Sequence, residues 1–147
     1  MVLLVFGLLF RSHYRFTIVS GDSMAPTLNA GEVLVVDRRA YNRTEPARGD
    51  IIVMRYLNGF IVKRIVGLPG EEVELRCGTL YINGRPIKEN HQIEPGNLSV
   101  EKGKLFGGDF ATLGDNRAVP SVLAIHPIAT KADLIGKVVL VLGKRIW

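Results

Sequence analysis

The sequence predicts an all-β fold, because short apolar runs alternate with turn residues along most of the chain. The 147 residues include 16 glycines and 7 prolines, which lie between runs rich in β-branched and aromatic residues. After residue 16 there is no stretch with helical periodicity, apart from one turn over 130–134. Apolar residues make up 47% of the chain and charged residues 22%, so one domain with a packed core is expected.

Turn signals separate the predicted strands. Asn58-Gly59, Cys77-Gly78 and Asn83-Gly84 each separate two apolar runs, and Asn-Gly is the strongest short hairpin signal. We predict strands over 16–20, 32–37, 50–57, 60–68, 73–76, 79–82, 110–113 and 135–142. Residues 88–108 are polar and contain several glycines, so they are predicted to be mainly loop.

The N-terminus is the one strongly biased segment. Residues 1–10 (MVLLVFGLLF) carry no charged side chain, and Arg11 follows them. Ten helical residues span about 15 Å, half of the roughly 30 Å hydrocarbon core. A signal-peptide core, an apolar strand and the second half of a membrane helix all fit this run. We predict an apolar N-terminal anchor over 1–15 and a β-domain over 16–147.

The charge and the cysteine content exclude some classes of function. The net charge is +5 and the pI is about 9.6, which suits nucleic acid or an anionic membrane surface. No dense basic run interleaved with aromatics occurs, so nucleic-acid binding is not predicted. Cys77 is the only cysteine, and the histidines at 13, 91 and 126 are scattered and expected at the surface. We therefore predict no disulfide within the chain, no metal and no cofactor.

A serine lies where a predicted strand meets a proline-containing turn. Residues 20–28 read SGDSMAPTL, and this position would project the Ser23 hydroxyl from the end of a rigid element. Gly21 would let a substrate backbone approach closely. On spacing alone, an ordinary strand-to-turn junction is favoured over a nucleophile.

Lys63 lies in a strand that is apolar on both faces. Alternation places Lys63 with Ile61 and Ile65 on one face, and Arg64 with Val62 and Val66 on the other. At least one of the two cations is therefore expected to be buried. Burial favours a neutral lysine, which can accept a proton from a serine hydroxyl. On this pattern alone, a lysine that reaches water from a sheet edge is the favoured interpretation.

Four segments, taken in order, resemble the motifs of type I signal peptidases. They are residues 20–28 (SGDSMAPTL), 48–53 (RGDIIV), 62–71 (VKRIVGLPGE) and 114–117 (GDNR). The resemblance extends over nearly the whole chain, from Phe6 to Leu142. One such segment is weak evidence, but four in the same order are specific. They outweigh the interpretation of Ser23 as part of an ordinary turn and of Lys63 as a lysine that reaches water from a sheet edge.

The resemblance implies a catalytic mechanism and a set of site residues. It implies a small signal-peptidase-like β-barrel or coiled sheet with a Ser/Lys dyad, in which Ser23 is the nucleophile and Lys63 the general base. The Ser23 backbone N–H would donate to the oxyanion, while Gly21 stands where some members have a second, hydroxyl donor. The residues expected to support the site are Asp115, Arg117 and Ser121. An extended substrate would lie beside 17–20 and 60–62 and contact Ser20, Met24, Ile61 and Val62.

The resemblance also implies the substrate and the location. Family members cleave signal peptides from preproteins, and their substrates have small residues at the first and the third position before the cleaved bond. Their catalytic domain lies on the outer side of the cytoplasmic membrane, with membrane lipid as a second partner. Arg11 and Arg15 follow the apolar run, and the positive-inside rule would place that flank in the cytoplasm. We expect the family orientation to hold.

The sequence departs from the family after Arg117. The family continues with Ser-x-Asp-Ser-Arg, whereas residues 118–124 read AVPSVLA and lack an acidic residue and a second arginine. Ser121 is the one hydroxyl in this stretch, and it either contacts Lys63 or faces water. Three alternatives stay open: a maturation peptidase with the same chemistry, a self-cleaving repressor-type protease domain, and an anchored β-domain without activity.

Overall fold

The computed structural model describes residues 13–119 and 128–143, in which strands predominate. The strands are β1 (Tyr14–Ile18), β2 (Val33–Asp37), β3 (Ile51–Tyr56), β4 (Gly59–Gly67), β5 (Glu72–Arg76), β6 (Thr79–Ile82), β7 (Arg85–Pro86), β8 (Val100–Lys104), β9 (Phe110–Leu113), β10 (Ile128–Ala129) and β11 (Leu134–Leu142). A 3₁₀ turn at Lys131–Asp133 precedes β11, within the predicted helical turn. The all-β prediction is confirmed.

The strands form two antiparallel sheets. The large sheet has seven strands in the order β1-β2-β11-β3-β4-β9-β10, and the small sheet has four in the order β7-β6-β5-β8. The last long strand, β11, is inserted between β2 and β3, so the end of the described chain closes the centre of the large sheet. β4, which carries the candidate lysine, lies between β3 and β9.

Two of the three predicted turns form as expected. Both residues of Cys77-Gly78 and both of Asn83-Gly84 have positive φ, which suits two-residue hairpin turns. The third turn is shifted by one residue, because Tyr56 pairs with Gly59 and leaves Leu57 and Asn58 at the turn. The packing of β3 against β4 sets this register and overrides the local Asn-Gly preference.

The prediction for residues 88–108 was incomplete. Within this stretch β8 pairs with β5, although its sequence VEKGK has no apolar face and most of it is exposed. An edge strand of this kind forms through its partner and leaves no periodic signal. The short strand β10 was also not predicted, and β7, which follows the predicted turn at Asn83-Gly84, was given no bounds. β1 starts at Tyr14, two residues earlier than expected.

The core beneath the large sheet supports the segment that follows β1. Val19, Met24 and Leu28 are buried together with Leu34 and Val36 of β2. A second cluster packs around Ile52 and Ile65, and a third lies beneath the small sheet. The predicted anchor over 1–15 falls largely outside the described residues. Among those that are described, no helix is long and apolar enough to span a membrane.

Candidate active site

Backbone hydrogen bonds hold Ser23 in a tight turn after β1. The Val19 N–H donates to the Glu32 carbonyl at 2.9 Å, and the Val19 carbonyl accepts from the Gly31 N–H at 3.0 Å. The Asp22 carbonyl accepts from the Ala25 N–H at 3.0 Å. The next side chain, Met24, is 2% exposed. Ser23 itself is half-buried, so its hydroxyl lies at the boundary between core and cleft.

Gly21 has a backbone conformation that favours glycine. Its φ is +86°, in the left-handed region, and a Cβ added there would meet no atom within 4 Å. The space is open, so backbone strain rather than crowding disfavours a side chain at this position. A serine at 21 would have to adopt that strained conformation in order to offer a hydroxyl to the site.

Lys63 is buried in the middle of the large sheet. It pairs with Ile52 of β3 and is 6% exposed, so it is not a lysine that reaches water from a sheet edge. Burial lowers the pKa of Lys63, and the negative charge of Asp115 opposes this effect only in part. The amine is therefore easier to deprotonate than an ordinary lysine.

The structure brings Ser23 and Lys63 into one cleft of about 230 Å³. The other residues that line it are Thr17, Ile18, Val19, Ser20, Gly21, Met24, Val53, Phe60, Ile61 and Val62. These include every residue that the sequence predicts to contact substrate. Within the described parts of the chain, Ser23 Oγ and Lys63 Nζ are not hydrogen-bonded to each other. Such bonds are often long in free enzymes and shorten when substrate binds.

The segment after β9 packs directly against the backbone of Ser23. The Asn116 N–H donates to the Ser23 carbonyl at 3.1 Å, and Asn116 Nδ2 donates to the Asp22 carbonyl at 3.1 Å. A Cβ added to Gly114 would lie 2.3 Å from the Ser23 carbonyl oxygen and 3.4 Å from Lys63 Nζ. Gly114 therefore permits the close approach of the two candidate catalytic residues.

Hydrogen bonds of Arg64 and Asp115 connect all four motif segments. Arg64 Nε and Nη2 donate to the two carboxylate oxygens of Asp115 at 2.8 and 2.6 Å, and Nη1 donates to the Gly49 carbonyl at 2.8 Å. The Thr27 hydroxyl also donates to Asp115. Asp115 is fully buried and Arg64 is 7% exposed, so the pair is shielded from water and salt.

Arg117 finds its carboxylate partner outside the motif. Its Nη2 donates to Glu89 at 2.8 Å, while Nε and Nη1 donate to the carbonyls of Gly114 and Gly78 at 2.9 and 3.0 Å. Arg117 is 1% exposed. Glu89 was not predicted, because residues 88–98 have no periodic pattern. The one signal in the sequence was the lack of an acidic residue just after Arg117, which implies that its carboxylate partner comes from a distant segment.

His91 was predicted to lie at the surface, but its side chain is half-buried. Its Nε2 lies 3.4 Å from both Glu89 and Asp115, and this nitrogen is buried without a hydrogen-bond partner among the described residues. Burial lowers the pKa of His91, and the charge of Arg64 adds to the effect. The loop that carries Glu89 and His91 folds onto the motif residues, which buries the imidazole. Ser121 and His126 lie outside the described residues.

Comparison with known proteins identifies the family. The model described as "Signal peptidase, peptidase S26" matches residues 1–142. The chain belongs to this peptidase family. The signal peptidase I of Leptolyngbya laminosa is 32% identical over 88% of the chain, and that of Bacillus amyloliquefaciens is 38% identical over 71%. The crystal structure of a signal peptidase I from Enterococcus faecalis aligns with 65% of this chain and 98% of that chain, with a TM-score of 0.49 and 25% identity.

The family assignment confirms the resemblance that the four motif segments indicate. The matched regions cover 66% of the Leptolyngbya laminosa signal peptidase I and 62% of the one from Bacillus amyloliquefaciens, so the chain spans about two thirds of such relatives or less. The positions of Ser23 and Lys63 in one cleft fit a peptidase of this family.

Proposed function

We propose that this chain is a membrane-bound serine endopeptidase that removes N-terminal signal peptides from exported preproteins. One observation carries the proposal: the buried amine of Lys63 shares a cleft with Ser23, and burial lowers its pKa. A neutral lysine beside a serine is an established means of activating a hydroxyl. Membership of peptidase family S26 supports the same reaction.

The reaction uses the two residues in two stages. Ser23 Oγ attacks the scissile carbonyl while Lys63 Nζ takes the hydroxyl proton. The protonated amine then gives that proton to the leaving nitrogen, which releases the mature protein and leaves an acyl-enzyme on Ser23. Lys63 next takes a proton from water, which attacks the acyl carbonyl. The protonated amine then returns this proton to Ser23 Oγ as the acyl bond breaks, which frees the signal peptide and restores both residues. The Ser23 N–H makes no hydrogen bond within the described residues and is available to the oxyanion.

The cleft suits an extended peptide. It runs between the end of β1 and the start of β4, so substrate backbone would lie beside residues 17–20 and 60–62. Met24 and Val53 are almost fully buried in its lining, and Ile61 and Val62 are half-buried. These apolar side chains leave shallow space, which favours small substrate residues at the first and third positions before the cut.

The supporting roles follow the hydrogen bonds around the dyad. Asp115 holds Arg64, next to the general base, and Arg117 holds the carbonyl of Gly114. Both would position the catalytic groups, and the charge of Asp115 also acts on the pKa of Lys63. The contact proposed between Ser121 and Lys63 stays a prediction.

The location of the protein is proposed from the family. Residues 1–15 would tether the β-domain to the cytoplasmic membrane, with the domain on the extracytoplasmic side. Protease added to intact spheroplasts should digest the β-domain, and lysed spheroplasts provide the control. Full protection in intact spheroplasts would show that the domain lies on the cytoplasmic side.

A cleavage assay tests the proposed reaction. The full chain in detergent should convert a purified preprotein to its mature form, with a new N-terminus after a small residue, and Ser23→Ala should not. Cleavage of the chain itself in place of the preprotein would favour the repressor-type protease. A single accepted preprotein among many would favour a maturation peptidase. No cleavage of any of them would support a β-domain without activity.

A further inference from the structure

A pocket of about 420 Å³ at one end of the large sheet is lined by four arginines. They are Arg15 of β1, Arg38 and Arg39 just after β2, and Arg55 of β3. We call this the arginine pocket. Phe60, Leu134 and Ile135 complete its lining. None of these residues belongs to the proposed catalytic dyad, although Phe60 also lines the active-site cleft.

The topology of the sheet brings the arginines together. The first residue of β1, Tyr14, pairs with Asp37, so the start of β1 lies beside the residues that follow β2. Arg55 pairs with Phe60 in the hairpin of β3 and β4. The guanidinium of Arg15 stacks 4.5 Å from the centre of the Phe60 ring, which joins the two halves of the pocket.

The charges in the arginine pocket are only partly balanced by nearby carboxylates. Hydrogen bonds from Thr130 and, less strongly, the charge of Arg55 lower the pKa of Asp133, and the Asp37 carboxylate accepts from the Arg39 backbone N–H. Across 13–119 and 128–143, none of its four guanidinium groups forms an ion pair with a carboxylate. Arg39 contacts His13, and Asp133 near Arg55 is held by hydrogen bonds from Thr130. Four other arginines pair with carboxylates: Arg48 with Glu71, Arg64 with Asp115, Arg76 with Glu74 and Arg117 with Glu89. Within the described residues Arg43 and Arg85 form no ion pair, but neither of them lines the arginine pocket.

Four like charges around one pocket repel each other unless an anion lies between them. The guanidinium group is planar and has several donors, which suits the oxygens of a phosphate. All four arginines are exposed and can reach a ligand from solvent. The pocket is therefore built for an anionic ligand with several acceptor oxygens.

The surroundings of the pocket favour a lipid headgroup over an acidic peptide. Apolar residues 1–10 precede β1 in the sequence, and Arg15 lies at the start of that strand. Phe16 and Leu140, which both pair with Val35, are 54% and 53% exposed. Two residues further along these strands, Ile18 and Leu142 both pair with Val33 and are 66% and 42% exposed. By strand alternation these apolar side chains lie on the opposite face of the sheet from Arg15, which pairs with Val36. Because β1 is the edge strand, its cation and its exposed apolar side chains border the same edge, as is typical of surfaces that lie on membranes.

We propose that the arginine pocket binds the phosphate of an anionic phospholipid headgroup and so seats this end of the β-domain on the membrane surface. The cleft shares Phe60 with the pocket, so the bound headgroup lies beside the start of β4. This inference does not depend on peptidase activity, and its test has a separate readout.

Vesicle flotation of the full chain tests the proposal. The vesicles are phosphatidylcholine alone, or phosphatidylcholine with about one third phosphatidylglycerol. The proposed N-terminal anchor should bind both kinds, so the ratio of the two partition coefficients isolates the part that depends on headgroup charge. Arg38→Gln/Arg55→Gln should lower this ratio about tenfold. Arg38→Lys/Arg55→Lys keeps the charge and should retain most of the ratio.

Arg85→Gln/Lys88→Gln is the matched control, because it removes two exposed positive charges from the region of the small sheet. It should leave the ratio nearly unchanged. An equal loss in both variants would show a general charge effect and overturn the proposal, as would an unchanged ratio in the pocket variant. A raised KM for acidic peptides in detergent, with the vesicle ratio unchanged, would assign the pocket to substrate instead. Circular dichroism of each variant checks that it is folded.

Discussion

Arg64 and Asp115 form a buried ion pair with two hydrogen bonds, of 2.8 and 2.6 Å. Arg64 directly follows Lys63 in the sequence. The Asp115 carboxylate is close enough to Lys63 to raise its pKa, against the effect of burial. The guanidinium of Arg64 balances that negative charge within hydrogen-bond distance. The ion pair thus lets a carboxylate support the site while the amine stays easy to deprotonate.

The dyad is tested first by single and double substitution. Ser23→Ala and Lys63→Ala should each lower kcat by at least about a thousandfold, because each removes one half of the proton-transfer pair. The double variant should be no slower than either single variant, since the two residues act as a unit. Preprotein cleavage measures the rate, and circular dichroism checks the fold. Substantial cleavage by either folded single variant would refute the assignment.

The pH dependence of the reaction reports the charge of the base. Lys63 must be neutral in the free enzyme, so kcat/KM should rise with pH through an apparent pKa below the ordinary lysine value of 10.5. Stopped assays on a peptide substrate over a pH series give this profile. His91→Gln is the control, because His91 also titrates at a lowered pKa. Loss of the acidic limb in His91→Gln would point to histidine as the base.

The buried amine should cost the protein stability. Since the folded-state pKa of Lys63 is lowered, the folded protein binds fewer protons than the unfolded chain between that pKa and 10.5. The free energy of unfolding should therefore rise with pH across this window. Lys63→Met lacks the titration and should be more stable at neutral pH by on the order of 1 kcal/mol or more. Urea unfolding at several pH values measures this, and a gap that does not narrow as pH rises would contradict it.

Gly114 should tolerate no side chain. A Cβ there would lie 2.3 Å from the Ser23 carbonyl oxygen, which is backbone and cannot turn away. Gly114→Ala should shift the nucleophile and lower kcat about a hundredfold or more, since small displacements of reacting groups are costly. Gly103→Ala is the control, because a Cβ at Gly103 meets nothing within 4 Å. Similar rates for the two variants would show that Gly114 is not a contact point.

The pair of Glu89 and Arg117 should be a strong determinant of stability. Their side chains are 7% and 0% exposed, so Glu89→Gln would leave a buried guanidinium without its counter-charge. We expect a loss of about 3–5 kcal/mol in the free energy of unfolding, measured by urea denaturation. Glu74→Gln removes a carboxylate from an ion pair whose Arg76 side chain is 57% exposed and should change stability little. Equal effects would mean that burial does not set the strength of the pair.

The central strands were predictable from local sequence patterns, whereas the site residues were predictable only from the order of the motif segments. β3 and β4 have strong β-forming runs and a turn signal between them, so their existence was predictable and their register was off by one residue at the turn. Ser23 and Lys63 were weak candidates as single residues, and only the order of four motif segments singled them out. Asp115 and Arg117 belong to one of these segments.

Other parts of the site depend on contacts between distant segments. Glu89 is 28 residues from Arg117 and lies in a stretch without periodicity, so no local pattern indicates their ion pair. The significance of Gly114 arises from the approach of a carbonyl that is far away in sequence. β8 forms because β5 offers a free edge, not because its own residues favour a strand.

The spacing of Arg64 and Asp115 has a consequence for the timing of activity during synthesis. The two residues are 51 positions apart, and Asp115 is the partner that ties β4 to the segment holding the nucleophile. Domains are completed as the chain leaves the ribosome, and contacts between distant residues form late. A nascent chain that has not yet extended past Arg117 has its serine and its lysine but no complete site. The proposed site is therefore incomplete until Asp115 has left the ribosome and paired with Arg64.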